Sequence, residues 1–549
     1  MLLRRGLFLL LVLLVMAGLF ALAVAAMRPA GWTGFELLAL IALAGNLPWL
    51  AISAANALIG LFILLLARDP AAVVLPALRR LGPGRPSSPT AIAVCIRHED
   101  MSEVLPPLRR LMAGLPAGQY TLWFLSDSSD PAAIAAEEAA IATFPGARYR
   151  RRLDNRGFKA GNLMDFLDHH AGEARFVICL DADSEMTPAA VERLVALMEA
   201  DDRLAIVQQL IVGRPAAAAF PRLFQFGMRA GMRAWATGQA FWQGPDGPYW
   251  GHNAILRVSA FRAHARLPSL PDGSAILSHD QVEAVRLHAA GWKVMVLPIE
   301  EGSLEGNPPA LPEFMARDRR WGAGNMQYAR LIAQPGLTWM GRWQLLQAML
   351  LFTAAPCWLL LLFAAVGEAA TGGAAGTDGS ALFWLILAGW ACHYAPKLAG
   401  YAEVLAKPAL ARRYGGRGRF ARGALAEILF TTLLEPVSIC NKSLGLLQLA
   451  GGGLRGWAAQ NRRARGVAWG DAARLLWPQG LIGLACFVLT PPAAWPWLAP
   501  WAGPLLLAIP FCVATADPRF SAWLAARGIA ATPEELARSG EEEATPSQA

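Results

Sequence analysis

The chain has 549 residues, 55% of them hydrophobic and 16% charged, with a formal net charge of +8. That balance is too apolar and too poor in charge for one large soluble protein. The positive charge does not point to nucleic acid, because the basic residues crowd the edges of the apolar runs, the distribution that membrane orientation produces.

Residues 7–27 and 37–67 are charge-free apolar runs, the second broken by Gly45 and Pro48. Runs of about 18 or more such residues are long enough to span a bilayer core. The first follows Arg4 and Arg5 and resembles a secretory leader. It is longer than the usual leader core and a second run follows at once, so it is expected to stay as a first helix. Arg68, Arg79, Arg80 and Arg85 follow the second run. The positive-inside rule then puts the N-terminus and the central region in the cytoplasm.

From residue 90 the pattern changes. Residues 91–96, 121–125, 147–149, 176–180 and 204–208 read as strands; 102–112, 131–142, 159–169 and 188–200 read as helices. Alternation at this spacing predicts a mostly parallel sheet with helices on both faces. Ligands of such sheets bind beyond the carboxyl ends of the strands, which sets residues 97–100, 126–128 and 181–183 on one rim. No GxGxxG follows the first strand and no GxxxxGK[ST] occurs, which disfavours a dinucleotide fold and a P-loop.

Three further apolar runs follow, at 343–367, 379–396 and 475–516. The intervening loop 368–378 has no Lys or Arg and is expected outside; Lys397, Lys407, Arg412, Arg413, Arg417, Arg419 and Arg422 are expected inside. Residues 423–454 carry Glu427, Glu435 and Lys442, which fall within about 80° of one another on a helix. The segment reads as a broken hairpin or an interfacial amphipathic helix. The last run holds Pro491-Pro492 and Trp495-Pro496-Trp497 and reads as two spans. The expectation is six spans plus an interfacial element, or eight. The divisions are 1–68 for two N-terminal spans, 69–340 for a cytoplasmic domain, 341–516 for a second bundle, and 517–549 for a cytoplasmic tail whose end, 541–549, is expected to be disordered. The seven cysteines form no CxxC pair, so neither a disulfide framework nor a zinc site is indicated.

Several stretches carry chemistry. Val177-Ile178-Cys179-Leu180-Asp181-Ala182-Asp183-Ser184 delivers two carboxylates, one residue apart, to a loop. Such a pair can share one hard cation, and Mg²⁺ or Mn²⁺ held this way commonly carries a diphosphate. Alone it reads as an acidic turn. Gly157-Phe158-Lys159-Ala160-Gly161-Asn162 opens a helix with a cation, either as a diphosphate contact or as an ordinary Gly-rich helix start. Tyr249-Trp250-Gly251-His252-Asn253 suits a sugar ring, or is a buried aromatic cluster. Ser278-His279-Asp280 sets a carboxylate at a helix start, where capping is the commoner role. Arg317-Asp318-Arg319-Arg320-Trp321 is a basic-aromatic cluster of the kind that also anchors helices at an interface.

Taken in order, these stretches resemble the membrane-bound, processive family 2 inverting glycosyltransferases, which include cellulose, chitin and hyaluronan synthases. The wording YWGHNAILR, ILSHD with VEA, AGW, and RDRRW-x-x-GN is similar to a narrower group, the glucosyltransferase H family of osmoregulated periplasmic glucan biosynthesis. The resemblance runs from about residue 91 through the last spans. The large N-terminal cytoplasmic extension of some relatives is expected to be absent.

The resemblance implies a GT-A-like α/β glycosyltransferase domain inserted between transmembrane helices, in the bacterial inner membrane, with both termini cytoplasmic. It implies UDP-glucose as donor and a growing glucan as acceptor, a membrane lipid environment, a periplasmic glucan-processing partner, and no nucleic acid. Asp127 would contact the nucleoside end and Lys159 the diphosphate. Asp181 and Asp183 would hold the sugar nucleotide and its Mg²⁺ or Mn²⁺. Asp280 would be the general base. Arg320 and Trp321 would bind the leaving diphosphate and the acceptor sugar, and Tyr249, Trp250, His252 and Asn253 would line the acceptor site. The chain departs from the wider pattern at His279, where many relatives have Glu, at Arg317, the usual Gln of QxxRW, and at His98, where Asn is common.

Two other readings compete. A cellulose-type synthase lacks support, since neither a PilZ-like C-terminal domain nor an FxVTxK-type gating loop is found. A transporter with a non-catalytic cytoplasmic domain would explain intramembrane charge, but the apolar runs lack obvious repeats.

Overall fold

The computed structural model describes residues 1–452 and 461–537. Among the described residues, ten strands form two sheets: β1 (Thr90–Ile96), β2 (Tyr120–Ser126), β3 (Arg148–Arg151), β4 (Phe176–Asp181), β5 (Glu185–Met186), β6 (Leu204–Gln209), β7 (Val212–Gly213), β8 (Ala254–Arg257), β9 (Lys293–Leu297) and β10 (Ser303–Glu305). The larger sheet runs β3-β2-β1-β4-β8-β6-β9, and the smaller β5-β10-β7. β8 is the one antiparallel member of the larger sheet, paired to both β4 and β6.

The central strands are apolar throughout because both faces are covered. Ile92, Val94 and Ile96 of β1 face the helices Met101–Ala113 and Pro188–Ala200 through Leu108 and Leu194. Their neighbours Ala91 and Ala93 face Leu163 and Phe166 of Phe158–His169 on the other side. Successive side chains thus point to opposite faces, and the mostly parallel, GT-A-like sheet with helices on both faces, expected from the strand–helix alternation, is the observed architecture. Asp100, Asp130 and Thr187 each cap the next helix with a side-chain oxygen. The register pairs Ile96 with Ser126 and Cys95 with Asp181, so three strands end on one rim.

The helix Ala219–Gln243 joins this domain to the apolar helices. It crosses Gly34–Leu66 where a Cβ on Gly60 would stand 1.9 Å from the Ala234 carbonyl oxygen, and one on Gly238 would stand 2.0 Å from that of Asn56. Small residues let the two backbones meet. Its Arg222 and Arg229 are fully buried, paired with Glu535 at 2.8 Å and Glu300 at 3.1 Å.

Among the described residues, four helices are long and apolar enough to cross a bilayer: Leu2–Met27, Gly34–Leu66, Trp339–Ala370 and Arg417–Ala450. A fifth counts if the pair Trp469–Val488 and Pro492–Leu506, bent by 118°, is one broken span. This is fewer than the six or eight expected. Gly379–Ala406 has the length, but His393, Tyr394, Lys397 and Glu403 dilute its second half. Residues 423–454 also differ from expectation. Of these, 423–450 belong to one continuous helix, Arg417–Ala450, with Pro436 inside it, rather than a hairpin, and 453–454 lie outside the described residues. Its charges are paired inward: Glu427 with Lys397 at 2.5 Å, Glu435 with His393 at 3.7 Å, and Lys442 with Asp318 at 3.6 Å. The tail end, 541–549, lies outside the described residues.

Candidate active site

β4 carries its apolar run to the rim and ends at Asp181. The turn is tied by Ser184, whose backbone N–H donates to the Asp181 carbonyl at 3.0 Å and whose Oγ accepts from the Asp181 N–H at 3.0 Å. Asp183 lies inside that turn, two residues past Asp181. Lys159, from the first turn of Phe158–His169, donates to Asp181 Oδ1. Burial opposes the Lys159 ammonium, but Asp181 outweighs it and raises the pKa. Burial likewise opposes the Asp181 carboxylate, and Lys159, then His252, bring its pKa well below the usual range.

Asp183 faces a different cation. Arg462 reaches Asp183 at 3.4 Å with one guanidinium nitrogen and Glu99 at 3.3 Å with another. Burial pushes Glu99 up despite Arg462. Beside this pair His252 Nε2 lies 3.3 Å from Glu305 Oε2, and its Nδ1 lies 3.3 Å from Ser184 Oγ. Burial raises the Glu305 pKa; His252 opposes that, and Asp183 adds to it.

Asp280 is the first residue of Asp280–Ala289. The preceding loop is fixed by His279, whose Nδ1 lies 2.9 Å from the buried Glu283, and by Tyr328, whose hydroxyl donates to the Ser278 carbonyl at 2.8 Å. Gly251, at φ 88°, passes over the carboxylate: a Cβ there would stand 3.6 Å from Asp280 Cβ. Burial raises the Asp280 pKa, with His279 opposing and Glu283 adding. Lys159 also acts on it, which ties Asp280 electrostatically to the Asp181 ion pair.

The basic-aromatic cluster sits on Leu311–Met326. This helix meets the Asp280 loop at Gly324, where a Cβ would stand 2.2 Å from Ser278 Oγ. Asp318 and Arg319 point the other way and dock on Arg417–Ala450. Asp318 accepts from Ser438 at 3.2 Å and Arg319 donates to Asn441 at 2.7 Å. Arg317 lies 4.5 Å over the Trp321 ring, and the indole is 43% exposed. Burial, with the charges of Arg317 and Arg462, lowers the Arg320 pKa to about 10. Crowded cations of this kind suit an anionic ligand.

Not every expected residue opens onto the rim. Asp127 is held by Arg152 through two hydrogen bonds, at 2.8 and 2.7 Å. Tyr249 is fully buried against Phe261 in the core. Asn253 is also buried, donating to Ser303 Oγ at 3.0 Å and to the Leu304 carbonyl at 3.2 Å. These two support the sheet and do not line an acceptor surface. Trp250 packs toward Val74 and Leu210, leaving His252 as the member of this stretch beside the acidic pair. Sequence reasoning missed Arg152, Glu305 and Arg462 as site groups. The only signal was their charge, in an arginine run after β3, between glycines in Glu301-Gly302-Ser303-Leu304-Glu305-Gly306, and in the basic stretch at 462–465.

Among the described residues no group of three or more His, Cys, Asp or Glu is placed to hold a metal ion. Asp181 and Asp183 offer two hard oxygen donors, each now facing a protein cation. That donor set fits a divalent ion completed by oxygens of a bound diphosphate, not a closed protein cage.

Residues 176–394 match the model of the glycosyl transferase family group 2. The glucans biosynthesis glucosyltransferase H of Xylella fastidiosa is 33% identical over 94% of this chain and 85% of that protein. The chain belongs to the glucosyltransferase H family of glucan biosynthesis. The family member from Bradyrhizobium diazoefficiens is 33% identical over 89% of this chain and 69% of its own length. The one from Xanthomonas euvesicatoria is 36% identical, and this chain spans 64% of its length. Among solved structures, a mannosyltransferase from Pyrobaculum calidifontis in complex with GDP-Man and Mn²⁺ is similar at 16% identity and a TM-score of 0.38, over 64% of this chain and 99% of that one.

Proposed function

We propose that this glucosyltransferase transfers glucose from UDP-glucose, with inversion, onto the β-glucan backbone of osmoregulated periplasmic glucans. It would do so at the cytoplasmic face of the inner membrane, in a multi-pass protein with both termini cytoplasmic. The observation that carries the reading is the shared surroundings of the Asp181–Asp183 pair, Asp280 and the Leu311–Met326 helix. Lys159 acts on both Asp181 and Asp280, and Arg317 feels Glu305 and Asp183 while stacking on Trp321.

Asp280 takes the proton of the acceptor hydroxyl as that oxygen attacks the anomeric carbon from the face opposite the leaving group. Lys159 and Arg320 receive the diphosphate, and their charges offset the negative charge that builds on it. Asp127 would contact the nucleoside end with the oxygen lone pairs that its two bonds from Arg152 leave over. The exposed Trp321 ring stacks on the acceptor sugar. Asp181 and Asp183 would hold Mg²⁺ or Mn²⁺, which supplies further charge neutralisation at the diphosphate when bound. The growing glucan leaves toward the periplasm, where a glucan-processing protein receives it.

The test is UDP release from UDP-glucose by membranes carrying the protein, with linkage analysis of the labelled product. A glucan that forms with the intact chain, and fails to form with Asp181→Asn or under chelation, is expected. Release from another sugar nucleotide but not from UDP-glucose would overturn the donor assignment.

A further inference from the structure

A cavity of about 470 Å³ lies away from the active site, bounded by Arg233, Glu403, Lys407, Ala409, Leu410 and Arg413. We propose that it binds the phosphate headgroup of an anionic phospholipid; this rests on the reading that the apolar helices cross a bilayer. Three cations and one acid line it. Its position suits a headgroup. Lys407 follows the end of Gly379–Ala406 and donates to the Leu64 carbonyl, in the last turn of Gly34–Leu66. Two long helices therefore end at its wall, and on the reading that the bundle crosses a bilayer these ends fall where a leaflet's phosphates would sit.

The cations are braced yet keep donors. Arg233 Nε lies 3.0 Å from Glu403, and Lys407 lies 3.3 Å from Glu403. Arg413 meets Glu301 at 2.5 Å and Glu300 at 3.7 Å, both through Nη1. A guanidinium has five N–H donors and an ammonium three, so both groups can add a phosphate oxygen without giving up a carboxylate. Lys407 and Arg413 keep 34% and 35% of their side chains exposed. Leu410 and Ala406 supply apolar wall for the glycerol end and the start of an acyl chain.

The experiment uses the full chain in detergent micelles and native mass spectrometry with dioleoyl phosphatidylglycerol, dioleoyl phosphatidylcholine and inorganic phosphate. Phosphatidylglycerol is expected to be retained about tenfold more tightly than phosphatidylcholine. Ala409→Glu places a carboxylate at the exposed mouth without removing an ion pair, and should abolish that preference. Arg413→Gln should weaken it, Arg413→Lys restore it, and Arg412→Gln leave it intact. Equal retention of the two lipids, or a preference that survives both Ala409→Glu and Arg413→Gln, overturns the proposal. Displacement of the lipid by inorganic phosphate would assign the cavity to a free anion and overturn it as well. A chain that stays soluble without detergent would instead remove the membrane reading beneath it.

Discussion

Asp280→Asn isolates the proposed base with little change in shape. Loss of a positioned general base costs about 10²- to 10⁴-fold in rate, equivalent to about 3–5 kcal/mol of barrier. The structure predicts that folding is spared. Burial raises the Asp280 pKa, so between its unfolded and folded values the native state binds more protons, and stability falls as pH rises through that window. Asn has no charge to desolvate and so does not carry that penalty. Against this stands the loss of a negative charge at a helix N-terminus, about 0.3–1 kcal/mol. The variant should therefore unfold within about 1 kcal/mol of the parent while kcat collapses and KM for UDP-glucose holds. In the intact enzyme the rate should fall on acidification through a pKa above the ordinary carboxylate range. The assay is initial-rate UDP release across pH, beside thermal unfolding in the same detergent. Equal release by the two proteins would refute the assignment of Asp280.

Gly324→Ala forces a Cβ to within 2.2 Å of Ser278 Oγ and shifts the Asp280 loop. A displacement near 1 Å costs about 10²-fold, so kcat should fall by about that much; an unchanged kcat would show that the loop is not positioned from this helix. Arg462→Ala frees Asp183 and Glu99 from a half-exposed cation worth about 0–1 kcal/mol. The Mn²⁺ concentration for half-maximal UDP release should drop about threefold to fivefold, and an unchanged or higher requirement would show that Arg462 does not compete with the ion. Asp318→Ala strands Lys442 in a largely buried pair. The cost should be about 3 kcal/mol of stability, with much of it recovered when Lys442→Ala is added; a double variant no better than the single one would show that the pair does not couple the two helices.

The sheet was readable where burial on both faces made the strands continuously apolar, as in β1 and β4. β8 was hidden inside a stretch whose aromatics and polar turn drew attention as chemistry, and two of its expected contacts, Tyr249 and Asn253, serve the core instead. Ala219–Gln243 went unread because buried Arg222 and Arg229 break the amphipathic pattern, and their partners, Glu300 and Glu535, lie far away in sequence. The same effect misled the reading of 423–454. Glu427, Glu435 and Lys442 looked like an amphipathic helix's polar face, but they meet Lys397, His393 and Asp318 from other helices. In the site, the groups that a strand end or a motif delivers were legible. Arg462 was not, because it reads locally as a topology signal and gains meaning only when the chain returns over the rim.

The crossing at Gly60 and Gly238 has a mechanical consequence. Backbone rests on backbone there, so no cushion of long side chains exists to shear or slide. Rocking of the sugar-handling half against the apolar half would have to break that seam. A bulkier residue at either glycine would have to push the two helices apart and so reset how the sheet domain is carried on the apolar helices.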